Sequence, residues 1–421
     1  MMTFSLASMS LGAAVGAENR NDAATRRRWV ICGPPWNRPA AVCGDRPSGA
    51  RRAVLWLLVL AFGVSIYGSL AAGPASASSP GIAIYFTENI PAMGAVARMP
   101  LIEDALISLL DSADVSIDAC LFSLTRGSVR DALVRAHRRG VRVRVACDLD
   151  HQAEFRFIED EGMPVMYGNR SGLMHNKFFV VDRRTVWTGS TNMTDEGFSS
   201  NHNNSPSIIC PELALAYEME FEEMFVEGNF GGTKVDNTPH VISCGSAEIE
   251  SYFSPSDGSQ AELIDEIKDA NASIYFAVYY FTADAVREAL VEQAADGVVV
   301  KGIYDAAGAG HPYAEYEALC SAGIPVKVEN LNGRLHHKFM IIDVDGEDPV
   351  VVTGSYNWTA AANEKNDENT LVIHDRAIAE TYYAEWKHTW SAVPPACGCN
   401  MPTVVLPLVI RSCTWNQETV H

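Results

Sequence analysis

The chain has 421 residues, of which 48% are hydrophobic and 20% are charged, a composition typical of globular proteins large enough for two domains. Its 52 acidic residues exceed its 32 basic ones, which gives a formal net charge of −20 at pH 7. Such a surface repels polyanions at long range, so the charge argues against avid, non-specific nucleic-acid binding but still permits a locally positive cleft.

Residues 1–77 predict an N-terminal extension followed by an export signal. Two arginines at 51–52 precede an apolar run at 53–72, and the small residues after it end in an Ala-x-Ala cleavage pattern before Ser78. A run of about 20 apolar residues is also long enough for an uncleaved membrane anchor, which is the alternative. Both interpretations place the rest of the chain outside the cytoplasm, secreted in the first case and membrane-anchored in the second. Residues 1–50 show no helical or strand period and lie outside the predicted fold.

The stretch 78–240 predicts a first lobe in which strands and helices alternate. The hydrophobic periodicity indicates, in chain order, a strand at 82–89, a helix at 101–113, a strand at 116–124, a helix at 128–140 and a strand at 141–148. Continuous apolar runs such as 178–181 are typical of strands that are covered on both faces.

The stretch 241–392 repeats this order and predicts a second, similar lobe. Its matching segments are 249–258, 261–272, 273–281, 285–297 and 298–305. Residues 229–239 are rich in Gly, Asn and Thr and form the predicted linker. The alternation predicts an α/β fold of two α/β/α lobes with mostly parallel mixed sheets, packed about a pseudo-two-fold axis in the manner of a dimer.

The tail at 393–421 lies outside the repeat and contains Cys397, Cys399 and Cys413. These cysteines are candidates for disulfides, which form readily outside the cytosol. A zinc site that combines them with His421 is a weaker alternative, because the spacing fits no standard site.

Four cysteines within the lobes divide into two kinds. Cys120 and Cys147 lie inside apolar runs, so we expect buried thiols. Cys210 and Cys244 lie outside such runs and are better candidates for a disulfide.

Each lobe contains one copy of the same motif, in which His-x-Lys is followed by four residues and Asp, and later by Gly-Ser-x-Asn. The second copy differs by an insertion in a turn-like segment at 344–349, where extra residues cost little. Six specified positions that recur at fixed spacing indicate function rather than incidental core sequence. The candidate residues are His175, Lys177, Asp182, Ser190 and Asn192 in the first copy, and His336, Lys338, Asp343, Ser355 and Asn357 in the second.

Strand geometry predicts how these side chains are arranged. Side chains alternate along a strand, so the His and the Lys of each copy should share one face. A lysine is rarely buried without a partner, and an anion bound beside it would provide one. We expect the motif serines and asparagines to donate hydrogen bonds to phosphate oxygens. The aspartates face the other side of an ideal strand, so we expect them to hold a neighbouring loop instead of contacting substrate.

The doubled motif resembles that of the phospholipase D superfamily, also called the HKD family, over about residues 82–390. The resemblance implies a phosphodiesterase that needs no metal or other cofactor. It also implies that His175 attacks phosphorus to form a phosphohistidine, while His336 protonates the leaving alcohol and then activates water. Lys177 and Lys338 would stabilise the charge on the phosphoryl oxygens.

The superfamily also places a glutamate downstream of the motif, hydrogen-bonded to the catalytic histidine, and Glu368 fits this place in the second lobe. The first lobe has Asn203 at the matching position. We therefore expect Glu368 to keep His336 protonated as the acid, and Asn203 to orient a neutral, nucleophilic His175.

The leading functional hypothesis is a secreted enzyme that hydrolyses the head-group phosphodiester of a phospholipid. We expect a monomer that holds both half-sites, binds phospholipid or another phosphodiester, and contacts a membrane surface. A secreted endonuclease and a phosphatidyl transferase of the same superfamily are the alternatives. A non-catalytic binding module is a third class, which the two intact motifs disfavour.

Three further features bear on the substrate, and each has two interpretations. The aromatic segment 275–281 either lines an apolar cleft or, as we favour, is a buried central strand. Trp187 and Trp358 either shape the entrance of a cleft or belong to the core. A basic cluster either binds a polyanion or, as we favour, forms a solvated helix and strand edge. The cluster consists of Arg135, Arg138, Arg139, Arg142, Arg144, Arg183 and Arg184.

Overall fold

The computed structural model describes residues 81–87, 101–330 and 332–394. In these residues the first lobe is a seven-stranded sheet with flanking helices. Its strands are β1 (Ile82–Phe86), β2 (Ser116–Leu121), β3 (Arg142–Asp148), β4 (Val165–Gly168), β5 (Lys177–Val181), β6 (Thr185–Trp187) and β7 (Asn204–Ile209). Its helices are α1 (Ile102–Asp111), α2 (Gly127–Arg138), α3 (Gln152–Asp160), α4 (Asp195–Ser199) and α5 (Pro211–Phe225).

The second lobe repeats this plan with an eight-stranded sheet. Its strands are β8 (Val241–Cys244), β9 (Ala247–Ser254), β10 (Ser273–Val278), β11 (Val299–Asp305), β12 (Val326–Glu329), β13 (Lys338–Ile342), β14 (Val350–Gly354) and β15 (Glu368–His374). Its helices are α6 (Ser259–Asp269), α7 (Asp284–Ala295), α8 (Ala306–Ala309), α9 (Tyr316–Ser321), α10 (Ala360–Glu364) and α11 (Arg376–Ala392). The predicted α/β class and the two similar lobes are confirmed.

The two sheets share one strand order over most of their width. The first runs β1-β7-β6-β5-β2-β3-β4, and the second runs β12-β11-β10-β13-β14-β15-β9-β8. In each sheet the motif strand, β5 or β13, lies beside the first strand of the parallel part, β2 or β10. Each motif strand therefore lies at a central position of its sheet, covered on both sides by neighbouring strands.

The prediction of mostly parallel sheets was wrong. The parallel pairings among the described strands are β2 with β3, β3 with β4, β10 with β11, and β11 with β12, and the other pairings are antiparallel. Two of the antiparallel pairings, β5 with β6 and β13 with β14, have a local reason: after each motif strand the chain reverses in a turn that begins at Asp182 or Asp343, whose φ angles are 54° and 48°. A tight turn joins antiparallel neighbours, whereas parallel ones need a crossover.

A shared apolar core joins the two lobes. It contains aromatic side chains from both motif strands, from strand β9 and from helices α5 and α11, namely Phe178, Tyr217, Phe253, Phe339 and Tyr382. The rings of Tyr217 and Phe253 meet across the lobes with centroids 5.0 Å apart. Two further cores lie on the outer faces, beneath α1 and α2 in the first lobe and beneath α6 and α7 in the second. Burial on both faces of each sheet agrees with the continuous apolar runs of the sequence.

Four cysteines of the lobes behave as predicted. Cys210 and Cys244 form a disulfide that ties the beginning of α5 to the end of β8. Cys120 and Cys147 are buried free thiols. Cys320 is disulfide-bonded as well, which the sequence did not indicate.

Several predictions concern residues outside the described ranges. They include the cleavage site, the apolar run 53–72 and the cysteine tail, and they remain predictions. Within the described part of the chain, no helix has both the length and the apolar character that a membrane crossing requires.

Candidate active site

The two His-x-Lys segments occupy equivalent positions at the beginning of β5 and β13. All four side chains are buried, with 7% of His175, 6% of His336 and 2% of each lysine exposed. Lys177 donates to the carbonyl of His175 at 2.5 Å, and Lys338 donates to the carbonyl of His336 at 3.0 Å. Each lysine is therefore held beside the histidine of its own copy, on the shared face that strand alternation predicted.

Backbone hydrogen bonds between the lobes bring the two copies together. The amide of His175 donates to the carbonyl of Asp367 at 2.9 Å, and the amide of His336 donates to the carbonyl of His202 at 2.9 Å. The pKa of His336 is lowered first by burial and then by the charges of Lys338, Lys177 and His175. The four side chains that the sequence singled out thus converge on one cleft between the lobes.

Each imidazole is supported from the opposite lobe. Nδ1 of His175 lies 2.7 Å from a carboxylate oxygen of Glu368. Nδ1 of His336 lies 2.9 Å from the amide oxygen of Asn203 and 3.0 Å from the carbonyl of Ser190. Because Nδ1 is engaged in both rings, Nε2 is the nitrogen left for chemistry in each.

This arrangement corrects the predicted pairing, in which Glu368 supports His336 and Asn203 orients His175. The two supporting residues are exchanged. The physical reason is the inter-lobe backbone pairing, which aligns Met174 with Asp367 and Leu335 with His202. Each motif therefore begins beside the segment that carries the supporting residue of the other lobe.

Aromatic rings cover both His-Lys pairs. The ring of Phe122 lies 4.8 Å from that of His175 and 5.1 Å from Nζ of Lys177. The ring of Tyr279 lies 4.8 Å from that of His336 and 5.2 Å from Nζ of Lys338. The faces of these rings are electron-rich and favour a nearby cation.

Phe122 and Tyr279 are site residues that our sequence analysis missed. They occupy the same position in the aligned segments 116–124 and 273–281, directly after β2 and β10. The recurrence of an aromatic residue at this position was the available signal. In the aromatic segment 275–281, Tyr279 lies at the site, whereas the residues before it belong to the buried strand that we favoured.

Burial controls the charge of the site. It lowers the pKa of Lys177 to about 7 and that of Lys338 well below its usual value, with Lys177 adding repulsion to Lys338. It also raises the pKa of Glu368 to about 7. Charge is thus costly in this cleft until a counter-charge arrives. An anionic phosphodiester between the lysines would supply that counter-charge.

The motif serines do not have the predicted role. The hydroxyl of Ser190 donates to Asn203 at 2.9 Å, so its single proton is not available to a phosphate. Ser355 accepts from the amide of Asn369 at 3.0 Å, and its hydrogen bond to Glu368 opposes the rise in that carboxyl's pKa. Both hydroxyls therefore hold the residues that support the histidines.

The motif asparagines remain candidates for phosphate binding. The side chains of Asn192 and Asn357 are half-buried. In both, the amide oxygen is buried and makes no hydrogen bond within the described structure. Their amide nitrogens are thus the motif donors left for a phosphoryl oxygen, in equivalent places of the two lobes.

The motif aspartates hold loops, as predicted. The carboxylate of Asp182 accepts from the amides of Asp114, Val115 and Ser116 at 3.0, 2.7 and 2.9 Å. Asp343 accepts from the equivalent amides of the second lobe, those of Asn271, Ala272 and Ser273, at 2.6, 2.7 and 2.8 Å. Each aspartate therefore fixes the loop that leads into β2 or β10.

The motif glycines permit close backbone contact, although with protein and not with substrate. Gly189 and Gly354 have φ angles of 121° and 141°. A Cβ atom at either position would lie 2.2 Å from the carbonyl of Asn204 or Asn369. Glycine thus lets the Gly-Ser-x-Asn segment approach the backbone next to the supporting residue, Asn203 or Glu368.

The arginine cluster and the two tryptophans lie outside the cleft. Most of the arginines are paired with carboxylates, as in Arg144 with Asp118 and Glu222 at 2.7 Å. The side chains of Trp187 and Trp358 are only 1% and 2% exposed and belong to the core. The interpretation of the arginines as a solvated, ion-paired edge is the one that the structure supports.

Clusters of metal-ligating side chains occur elsewhere in the described residues. One consists of Asp236, His240 and Asp257, and another of Glu250, Glu266 and His374. Neither includes a residue of the two motifs or of their supports.

Comparison with known proteins assigns the family. The chain matches the family model described as "Cardiolipin synthase, PLD-like domain" over residues 106–225 and 263–390, which is more than half of its length. The chain belongs to this phospholipase D-like family. Each matched segment contains one lobe's copy of the motif.

Relatives and solved structures agree with this assignment. Phospholipase D of Rickettsia bellii is 31% identical over 160 residues, which cover 36% of this chain and 78% of that protein. Mitochondrial cardiolipin hydrolase of Xenopus laevis is 38% identical over 126 residues, which cover 29% of this chain and 60% of that protein. The crystal structure of phosphatidylserine synthase from Haemophilus influenzae shares the fold, at 14% identity and a TM-score of 0.55, covering 70% of this chain and 85% of that one. The phospholipase D-like chain is thus an enzyme of the phosphodiesterase type.

Proposed function

We propose that this enzyme hydrolyses the head-group phosphodiester of a phospholipid through a phosphohistidine intermediate. The observation that carries the proposal is the convergence of two buried His-Lys pairs, one from each lobe, with Nδ1 of both histidines engaged. Relatives named phospholipase D and cardiolipin hydrolase support a lipid substrate.

In the first step, Nε2 of His175 forms a bond to phosphorus. The bond between phosphorus and the leaving alcohol oxygen breaks, and Nε2 of His336 gives its proton to that oxygen; the bound phosphodiester anion favours the protonated form of His336 by offsetting the lysine charges that add to burial in lowering its pKa. In the second step, neutral His336 takes a proton from water as the water oxygen attacks phosphorus. The P–N bond then breaks, which releases phosphatidic acid and restores neutral His175.

The supporting residues favour this division of roles. A phosphorylated imidazole carries a positive charge, and the Glu368 carboxylate lies 2.7 Å from Nδ1 of His175, where it stabilises that charge. Asn203 is neutral, so it orients His336 without strengthening its hold on a proton. A proton that is held less tightly is transferred more easily to the leaving alcohol.

The lysines provide the positive charge that the phosphoryl group requires. Lys177 and Lys338 are buried beside the two histidines, and burial strengthens their attraction for the equatorial oxygens of the transition state. We propose that they make catalysis independent of a metal ion.

The test uses the purified chain with phosphatidylcholine, cardiolipin or single-stranded DNA, with EDTA throughout. We expect release of phosphatidic acid from lipid and no dependence on a divalent cation. Cleavage of DNA without turnover of either lipid would contradict the proposed substrate. Loss of lipid turnover in EDTA, with recovery when a metal is added, would contradict the proposed chemistry.

We also propose that the enzyme acts outside the cytoplasm. The Cys210–Cys244 disulfide supports this, because such bonds persist in oxidising compartments. The test is expression of the full chain in a bacterial host, followed by fractionation and N-terminal sequencing. A periplasmic product beginning at Ser78 is expected, and retention in the membrane would favour the anchor instead. A cytoplasmic product with reduced cysteines would contradict export.

A further inference from the structure

A cluster of metal-ligating side chains lies on the outer face of the second lobe. It consists of Glu250 on β9, Glu266 on α6 and His374 at the end of β15, and each offers one ligand atom, all within 4.8 Å of one another. Glu266 and His374 line a pocket of about 490 Å³. The described residues that line this pocket include five carboxylates and no lysine or arginine. The cluster therefore has both the ligands and the negative charge that a metal cation requires.

The imidazole of His374 is oriented as a metal ligand. Its Nδ1 lies 3.0 Å from a carboxylate oxygen of Asp348, so Nε2 is the nitrogen that faces the two glutamates. This Nε2 is buried and makes no hydrogen bond within the described structure. A buried polar atom without a partner is rare, and a bound ion accounts for this one. A carboxylate behind the ligating histidine is the usual arrangement in metal sites.

The distances fit one bound ion better than direct contact between the ligands. Two atoms that each bind zinc at about 2.0–2.1 Å lie roughly 3.3–3.4 Å apart in tetrahedral geometry. Nε2 of His374 and Oε1 of Glu250 are 3.7 Å apart, which is close to that value and too long for a hydrogen bond. The other oxygen of Glu250 accepts from the hydroxyl of Tyr252, which holds the carboxylate in place.

The repeat provides a comparison within the same chain. Strand β9 pairs with β15 as β1 pairs with β7, and α6 matches α1. The three ligand positions therefore correspond to Ala83, Ile209 and Leu109 of the first lobe, which are all apolar. Asp348 lies in the segment 344–349, where the second motif has its insertion. The fold thus does not require charge at these places, and the four side chains of the second lobe have no polar counterpart in the first.

Basic side chains near the cluster are engaged elsewhere. Lys268 on α6 pairs with Asp265 at 3.7 Å, and Arg376 donates to two carbonyls of the segment 344–349. A protonated His374 is the alternative counter-charge for the glutamates. An imidazolium would need an acceptor for its Nε2 proton, and this atom has none within hydrogen-bond distance.

We propose that Glu250, Glu266 and His374 bind one zinc ion, with Asp348 holding the imidazole. Zinc takes imidazole nitrogen together with carboxylate oxygen, whereas calcium takes oxygen ligands. The ion joins β9, α6 and the end of β15, and through Asp348 it fixes the inserted segment as well. It stabilises the second lobe and takes no part in the proposed catalysis. EDTA therefore lowers the thermal stability of the chain and leaves the initial rate of turnover unchanged.

The test is calorimetric titration with zinc chloride of the purified chain after treatment with EDTA and its removal. The matched variant is His374→Ile, which introduces the residue type of Ile209. We expect the unmodified chain to bind one zinc ion more than this variant does. Saturating zinc should also raise the Tm of the unmodified chain by several degrees more than that of the variant. Asp348→Asn retains all three ligands and should weaken the zinc Kd about 10- to 100-fold.

His240→Ala is the control, because His240 belongs to the other cluster of ligating side chains, with Asp236 and Asp257. This variant should keep the zinc ion that His374→Ile loses. Zinc held by the tail cysteines would be common to all the chains and cancels in the comparison.

Equal zinc binding by the unmodified chain and His374→Ile would refute the site. If His374→Ile does not fold, Asp348→Asn decides, and an unchanged Kd in that variant would refute the site too. Stabilisation by calcium and not by zinc would refute the histidine ligand. These measurements do not depend on turnover, so failure of the proposed function would leave them unaffected.

Discussion

The two half-sites have the same geometry and different electrostatics. In both, a buried His-x-Lys segment begins a central strand, an aromatic ring covers the lysine, and a side chain from the other lobe holds Nδ1 of the histidine. That side chain is Glu368 for His175 and Asn203 for His336. The repeat therefore sets where the two imidazoles lie, and in the proposed mechanism a single carboxylate-to-amide difference separates their roles.

The most severe test of this comparison removes one imidazole at a time. His175→Ala and His336→Ala should each lower turnover of a natural diester by about 10³-fold or more, because one removes the proposed nucleophile and the other the proposed general acid. Initial rates on phospholipid micelles measure the effect. Near-normal turnover in either variant would remove that histidine from the mechanism.

An activated substrate then separates the two roles. Bis(p-nitrophenyl) phosphate has a leaving group that needs no proton, so His336→Ala should still form the phosphohistidine and then stall, since no base activates water. Intact-mass spectrometry should detect this adduct in His336→Ala and not in His175→Ala. An adduct on His336 in the His175→Ala variant would reverse the assignment.

Replacing Glu368 removes the electrostatic difference between the half-sites and should have the next largest effect on turnover. Glu368→Gln retains a hydrogen-bond acceptor for His175 and loses the charge that stabilises the phosphoimidazolium. A charged hydrogen bond of this kind is worth about 1.5–3 kcal/mol, so we expect kcat to fall roughly 10- to 100-fold. Changes in pH should not restore kcat, because the lost interaction is the one that stabilises the phosphohistidine intermediate. A rate within twofold of the unmodified enzyme would contradict the assigned role.

Asn203→Asp is the reciprocal variant. A carboxylate beside His336 favours the imidazolium and so raises the pKa of His336. The enzyme should then keep its general acid protonated to higher pH, and the alkaline limb of the kcat profile should move upward. An unchanged profile would show that the residue behind His336 does not control its proton.

The affinity for an anion should fall as the pH rises, because the buried lysines lose their charge. Burial lowers the pKa of Lys177 to about 7, so its charge is present below that pH and is lost above it. The Kd for tungstate, whose charge is constant at neutral and alkaline pH, should therefore rise up to about tenfold per pH unit above 7. Calorimetry in buffers of different ionisation enthalpy should show proton uptake on binding. Lys177→Met should bind weakly, and a Kd that does not vary with pH in the unmodified enzyme would contradict the buried charge.

The sequence predicted the local features of this site better than the relations between its halves. The spacing of His175, Lys177 and Asp182 is a property of one strand and its turn, and the structure shows the expected faces and the expected loop anchor. The pairing of Glu368 with His175 is not local. It arises because the residue before each motif pairs with a residue just before β15 or β7 of the other lobe, and no pattern within a single repeat contains that contact.

The same distinction explains the errors in the fold. Hydrophobic periodicity indicated strands and helices at nearly the correct places, but it does not give strand direction. The antiparallel direction of β6 and β14, for example, depends on the turns at Asp182 and Asp343. The serines show a related limit, since Ser190 donates to Asn203, a partner 13 residues further along the chain.

Substitution of the two motif aspartates tests whether the lobes are equivalent at positions that take no part in the proposed catalysis. Asp182→Asn and Asp343→Asn each leave at least one backbone amide poorly satisfied, so we expect each to lower the free energy of unfolding by about 1–3 kcal/mol. Urea unfolding measures this, and both variants should keep most of their activity. A large loss of activity without a loss of stability would instead place the aspartate in the chemistry.

The lowered pKa of Asp182 predicts the direction in which the free energy of unfolding changes at acid pH. Burial alone would raise the pKa of Asp182, but hydrogen bonds from the amides of Asp114, Ser116 and Val115 outweigh it and lower that pKa. The stability contributed by Asp182 is therefore fully present above the unfolded-state pKa and is lost as the pH falls through the folded-state value. Asp182→Asn should flatten the acid limb of the stability profile, because an amide does not titrate. If both proteins lose stability equally toward low pH, the loop anchor is held by something other than this carboxylate.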